Sequence, residues 1–324
     1  DEDLSRGLGD VYKRQLFSSN TIYEVKKFFK LLVLIGIISA FGAAISWTYA
    51  CFIWRSQTEK YKSIDINLVK NIIAFLIFLP TFINYSVLID SKSIFTLLLS
   101  GVIGIGLGDT FYIKSLQIIG TRRTLSIETV SPLLAALSGE IFINENLALR
   151  SYIGIVIISI SLFILLRQRT NLLVNNSTTI NEQNNLSIYI FPFLSVLCAV
   201  LGGLLSRIVF LESNLSPFQT TEIRLLGAII FLITIKKFRI NFFFKKLDKN
   251  DQKRFLLSIF FGTNLGILLQ QIVFKTLPLG IGWSLLSTSP IISLFFASKE
   301  EGTITKVIIF FTTLLFLGLC LIIL

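Results

Sequence analysis

The chain of 324 residues contains no histidine. That single absence removes Ser-His-Asp and Cys-His catalysis and every His-ligated metal site. Cysteine is scarce as well: Cys51, Cys198 and Cys320 each fall inside an apolar run, without the spacing of a metal or redox motif, and read as packing residues. Charge is thin, at 15% of residues against about 25% in soluble domains. Methionine is missing too, and the opening DEDLSRGLGDVYKRQ is polar and unlike the apolar sequence after it. Residues up to about Gln15 are therefore expected to be a translated adapter or a disordered tail, and residues 1–30 are set aside as tail and basic lead-in.

What is present is apolar. Hydrophobic residues make up 53% of the chain and the mean hydropathy is +0.76, so bulk composition makes this a membrane protein. The net charge of +11 sits in short clusters between apolar runs, with no interleaved stacking aromatics. Such clusters suit anionic lipid rather than nucleic acid. Runs long enough to cross a core about 30 Å thick are expected at Leu31–Trp54, Ile66–Tyr85, Ile94–Ser115, Thr124–Ile143 and Ser151–Leu166. The Asn- and Thr-rich segment 167–187 reads as a linker. Five more runs come after it: Ile188–Leu211, Phe218–Ile235, Phe255–Lys275, Leu279–Ala297 and Thr303–Leu324.

The second half repeats the first. Leu125–Pro132 aligns with Trp283–Pro290 to give a shared S-x-x-x-x-S-P; Gly120 matches Gly280, Lys114 matches Lys275, and Lys70 parallels Arg224. Five spans is an odd number, so the second copy enters the bilayer inverted. Inverted repeats place a substrate site near mid-bilayer between the halves. The expected fold is an all-α membrane protein of ten transmembrane helices, as two inverted five-helix repeats at 31–166 and 188–324.

Gly104–Glu145 concentrates the polar chemistry, with Glu128, Pro132 and Glu140 inside one apolar run. A carboxylate at membrane depth is costly and usually faces a cavity or a partner. Pro132 lacks an N–H to bond the Glu128 carbonyl one turn earlier, so it is expected to kink that helix, with Pro290 its counterpart. Asp109 needs a charged partner, which Lys70, Lys114 or Arg224 could supply. It either faces the cavity, where it could bind an ammonium group or a proton, or locks two helices together.

The stretch GDTFYIKSLQIIGTRRTLSIETVSPLLAALSGEIFINENLALRSYIGIVIISISLFIL resembles the first EamA repeat of the drug/metabolite transporter superfamily. LGILLQQIVFKTLPLGIGWSLLSTSPIISLFFASKEEGTIT resembles the second. The second copy departs by being shorter before Glu301 and by lacking a glycine equivalent to Gly154. The resemblance implies a carrier, in export, of small metabolites, amino acids or drugs, working by alternating access in the cell (inner) membrane of a bacterium. It implies no cofactor. It also makes Glu145 the repeat-ending Glu, with a structural role at a loop, and puts both termini in the cytoplasm.

The cavity candidates are Trp47, Asp109, Tyr112, Glu128, Ser131, Gln270, Gln271, Trp283 and Ser287. For Glu128 the competing reading is an interfacial pair with Arg122 or Arg123; for the glutamines and Asn264 it is hydrogen bonding between helices; for the aromatics, anchoring at the interface. Glu222 and Arg224 are expected to snorkel to the interface, and Arg207 is expected to pair with Glu212. Any proton or ion coupling runs through a carboxylate such as Glu128 or Asp109. A membrane-embedded enzyme would need a nucleophile with a base, or a metal cluster, and neither is visible. A non-transporting scaffold would need no inverted repeat. The KKFFK before the first span agrees with cytoplasmic termini, yet the most basic loop, KKFRINFFFKKLDKNDQKR, then faces outward, and the positive-inside rule favours the reverse.

Overall fold

A computed structural model of the chain describes residues 19–82, 90–174, 189–239, 241–289, 292 and 306–323. Every regular element among them is helical: α1 Ser19–Thr58, α2 Ser63–Phe82, α3 Ser91–Ser100, α4 Asp109–Glu128, α5 Ser131–Ile143, α6 Leu149–Val174, α7 Ile190–Glu212, α8 Pro217–Ile235, α9 Lys249–Ser258, α10 Gly266–Thr276, α11 Leu279–Leu286 and α12 Lys306–Ile323. Two wide π-helical stretches, Gly101–Gly108 and Ile259–Leu265, join α3 to α4 and α9 to α10. Six helical runs are long and apolar enough to cross a membrane, and three apolar helices are shorter. Large apolar side chains such as Ile38, Leu76, Ile141, Ile160, Leu211 and Ile230 stand exposed on the outer faces, which suits lipid as the surrounding solvent.

Helix ends follow local chemistry. Asp90 caps α3 by accepting from the backbone N–H groups of Lys92 and Ser93. Ser216 and Gln219 form a reciprocal capping box at α8, whose first turn carries Pro217. Asp248 caps α9 through the Asp251 N–H.

The two halves interleave. A Cβ on Gly202 of α7 would lie 2.7 Å from the Gly104 Cα, so only glycine permits that backbone contact. α1 packs on α10, α5 on α11 and α6 on α12. Two apolar clusters result: one around Ala40, Ile155, Phe274 and Leu285, the other around Trp54, Ile66, Tyr112 and Phe255.

The structure changes three expectations. The fourth span is not one helix: Gly120, at φ 78°, breaks the backbone, a short helix runs on to Glu128, and α5 starts only at Ser131. Glu128 therefore ends one helix rather than lying four residues into another. Pro132 sits in the first turn of α5, where a missing N–H is harmless, so the break precedes it instead of arising at a helix-interior proline. The carbonyl of Glu128 is satisfied at that break by the Ser131 hydroxyl at 2.7 Å. Finally, α6 remains helical through Val174, eight residues into the segment that reads as a linker. Pro290, Glu301, residues 1–18 and the rest of that linker lie outside the described residues.

Candidate functional site: a charged cavity between the halves

The break at Thr129–Val130 has a counterpart in the second repeat, where α11 ends at Leu286 and a turn comes next at Ser287 and Thr288. The alignment of Leu125–Pro132 with Trp283–Pro290 superposes those two interruptions residue for residue. The breaks also meet in space: the Ser131 and Ser287 hydroxyls lie 3.1 Å apart, and Thr48 of α1 donates to the Ser289 carbonyl at 3.1 Å. Interrupted helices facing each other free backbone and hydroxyl groups at one depth, the arrangement that discontinuous transporter helices use to hold ligands.

Around this meeting point is a cavity of about 100 Å³, lined among others by Trp47, Asp109, Tyr112, Glu128, Ser131, Arg224, Gln270, Trp283 and Ser287. That is room for several waters or a small polar ligand. The walls come from the two apolar clusters and from both repeats, Ala43 and Ile105 on one side, Val196 and Ile267 on the other.

Of the nine cavity candidates, eight border this space. The exception is Gln271, fully buried to one side, with neither amide atom hydrogen-bonded among the described residues. Asn264 takes the inter-helix role, donating to the Ala74 carbonyl of α2 at 2.8 Å. Trp47 stacks edge-on against Trp54 at 5.2 Å and tilts against Tyr112 at 5.5 Å, and Tyr112 meets the Cys51 sulfur at 3.0 Å. Trp47, Tyr112 and Trp283 all border the cavity.

The charge arrangement is asymmetric. Lys70, fully buried on α2, donates to Asp109 Oδ2 at 2.6 Å and to Asn71 Oδ1 at 3.2 Å, with its ammonium 5.2 Å from the Trp54 ring centre. Lys70 is thus the partner that Asp109 requires; Lys114 bonds Gln117 instead. The network continues: Asn71 donates to Asn67, and Asn67 donates to the carbonyls of Ile105 and Gly106 in the first π stretch. A wide turn leaves such carbonyls short of partners, and Asn67 supplies them. The repeat equivalent of Lys70 is Arg224, and it behaves differently. Its side chain is 3% exposed and lines the cavity, yet its Nε and Nη1 have no hydrogen-bond partner among the described residues. Glu128 borders the same cavity, and the side chains of Arg122 and Arg123, its alternative partners, lie outside the described ones. Arg224 does not snorkel as its place near a helix end suggests. It turns inward because Gly101 and Gly104 leave space for its backbone and guanidinium, a Gly101 Cβ falling 1.9 Å from its carbonyl oxygen. Glu222 is likewise buried. The parallel between Lys70 and Arg224 is the sequence signal for this site. Asn67 has none.

Away from the cavity, Arg207 pairs with Glu145 at 2.6 Å rather than with Glu212, which instead meets Lys92 at 2.8 Å. Glu145 also accepts from the Leu279 N–H at 2.7 Å, so it caps α11 and ties the halves together. Glu140, exposed, accepts from Tyr152.

The comparisons with known proteins agree with this layout. No curated protein sequence matches the chain. A solved structure titled only "Crystal structure of protein" is similar over 88% of this chain and 95% of that chain, with a TM-score of 0.66 at 12% identity, a likeness that concerns the fold alone. The model of the EamA-like transporter family matches twice, over residues 34–167 and 186–324, one match on each half. With both repeats matched and a polar cavity where they meet, the chain belongs to the EamA-like transporter family, multi-pass membrane transporters of the drug/metabolite superfamily.

Proposed function

We propose that the chain crosses the cell membrane ten times, as repeats 31–166 and 188–324, and moves a small metabolite by alternating access through the cavity between them. The favoured cargo is zwitterionic, an amino acid or a close derivative, and the favoured direction is export. One observation carries this reading: the cavity is bordered by a guanidinium, Arg224, whose Nε and Nη1 have no hydrogen-bond partner among the described residues, and by the carboxyl of Glu128, while Lys70 and Asp109 pair with each other. Burying a guanidinium with unpaired donors is expensive, so the site favours a molecule that brings it an acceptor, and the Glu128 carboxyl on the same cavity favours one that also carries an ammonium. The cargo carboxylate meets Arg224, its ammonium meets Glu128, and Trp47, Tyr112 and Trp283 cover its apolar part.

Proteoliposome uptake of radiolabelled amino acids, with cationic drugs as the second panel, tests this. Arg224→Gln removes a charged hydrogen bond worth about 1.5–3 kcal/mol, which is a rise in KM of roughly 10- to 150-fold for a carboxylate-bearing cargo. Glu128→Gln has the matching effect on the ammonium side. If cationic drugs without a carboxylate are carried and Arg224→Gln leaves their uptake untouched, the zwitterion reading fails and a cation carrier centred on Glu128 replaces it.

A further inference from the structure

The two ends of the helix bundle differ sharply in charge, and contacts between loops identify which of them share an end. At one end Tyr61 stacks on Phe243 at 4.0 Å, Lys236 pairs with Asp65, Lys60 lies 3.8 Å from Asp251, and Gln117 donates to the Thr58 carbonyl. The loop after α1, the loop after α8 and the far part of α4 are therefore neighbours. At the other end Glu145 joins Arg207 and Leu279, Lys275 donates to the Leu215 carbonyl, and Lys92 meets Glu212. The start of α1 belongs with this second end, since Gly36 lies against Thr276 and Leu277. So does the end of α12, whose Gly318 and Ile322 lie against Gly154 near the start of α6.

The first end gathers eight Lys and Arg residues between 236 and 254. To these it adds Lys60 and Lys62, Arg122 and Arg123 beyond the Gly120 bend, and Arg167 and Arg169 in the last turns of α6. The second end has Lys26, Lys27 and Lys30 at the start of α1, then Lys92, Arg150, Arg207 and Lys275. Each end pairs two of its cations, Arg207 with Glu145 and Lys92 with Glu212 here, Lys236 with Asp65 and Lys60 with Asp251 at the first end, so the excess stays with the first. The 236–254 loop also offers Phe238, 78% exposed on a left-handed turn, and Phe242 beside its lysines. Exposed aromatic rings among lysines suit the headgroup layer.

We propose that this basic end is the cytoplasmic one and rests on the anionic leaflet, so that the start of α1 and the end of α12 face away from the cytoplasm. Positive charge in short loops sets orientation, and in this chain it accumulates on one end of the bundle across several loops rather than in one outlier. That is the reverse of the orientation which the family resemblance implies.

Accessibility in intact bacterial cells expressing the full chain decides it. Single cysteines are introduced at Asn250→Cys, in the first turn of α9 on the basic end, and at Asn146→Cys, in the loop after α5 on the other, both exposed positions. The three native cysteines lie within helices, and the wild type sets their background labelling. A membrane-impermeant maleimide should label Asn146→Cys in intact cells and Asn250→Cys only after permeabilisation. An alkaline phosphatase fused after Leu324 should be active, which gives a readout that needs no substitution within the chain. Changing Lys245, Lys246, Lys249 and Lys253 to Gln should then expose Asn250→Cys in part of the population. Labelling of Asn250→Cys in intact cells, an inactive fusion, or labelling of both sites in the unmodified charge background overturns the proposal.

Discussion

Asp109→Leu is the substitution whose outcome the structure specifies most closely. It strips the partner from Lys70, a fully buried ammonium left with only the Asn71 side-chain oxygen and the face of Trp54. Removing one member of a buried ion pair typically costs about 3–5 kcal/mol, because the remaining charge is uncompensated. With an unfolding entropy of about 2.1 cal/mol/K per residue over about 300 residues, each kcal/mol is worth roughly 1.5 °C, so the expected fall in Tm is roughly 5–8 °C. Tryptophan fluorescence in detergent reads it, since Trp47 and Trp54 lie beside the pair. The double variant Lys70→Met/Asp109→Leu should recover most of that loss, since apolar replacement of a whole buried pair is often neutral. Transport should stay low in the double variant, because Asp109 also borders the cavity. A fall under about 1.5 °C for the single variant, or a double variant no better than the single, would refute the assignment of Lys70 and Asp109 as a buried pair.

Glu145→Ala leaves Arg207 Nε and the Leu279 N–H without their acceptor and should lower Tm by roughly 4–6 °C, at about 1.5–3 kcal/mol for the charged bond and about 1 for the lost cap. Gly227→Ala should destabilise by about 1–3 kcal/mol, because its Cβ would lie 2.3 Å from the Leu98 carbonyl oxygen and backbone cannot step aside as a side chain can; thermal unfolding measures it. Pro132→Ala should shift Tm by less than about 1.5 °C, since proline in a first turn forfeits no helical hydrogen bond. Asp90, whose carboxyl is held below its ordinary range by the backbone N–H groups of Ser93 and Lys92, stabilises the protein above the ordinary carboxylate range and loses that effect as pH falls through its lowered value. Melting curves of wild type and Asp90→Asn should accordingly converge at low pH and separate above the ordinary carboxylate range.

Six of the spans were legible because long uninterrupted apolar runs have few other uses, and the repeat was legible because S-x-x-x-x-S-P recurs at equivalent places. The interruption at Thr129–Val130 was not. A proline in an apolar run reads the same whether it kinks a helix or opens one, and only the positive φ of Gly120 separates the two cases. Arg207 and Glu145 are 62 positions apart, so no spacing along one helix could pair them, whereas Glu212 was near in sequence and wrong. The inward turn of Arg224 depended on glycines of another segment, Gly101 and Gly104, which the sequence of α8 alone does not contain.

The two wide helical stretches carry a mechanical consequence. Each winds more residues into a turn than an ordinary helix, so it sets the rotational phase of everything after it, including Asp109 in the first repeat and Gln270 in the second. Were 259–265 to wind at standard pitch with the same number of residues, Gln270 would swing by roughly 100° around its axis, off the cavity wall. The side chains that border the cavity are thus aimed by the irregular backbone preceding them as much as by their own place in the sequence.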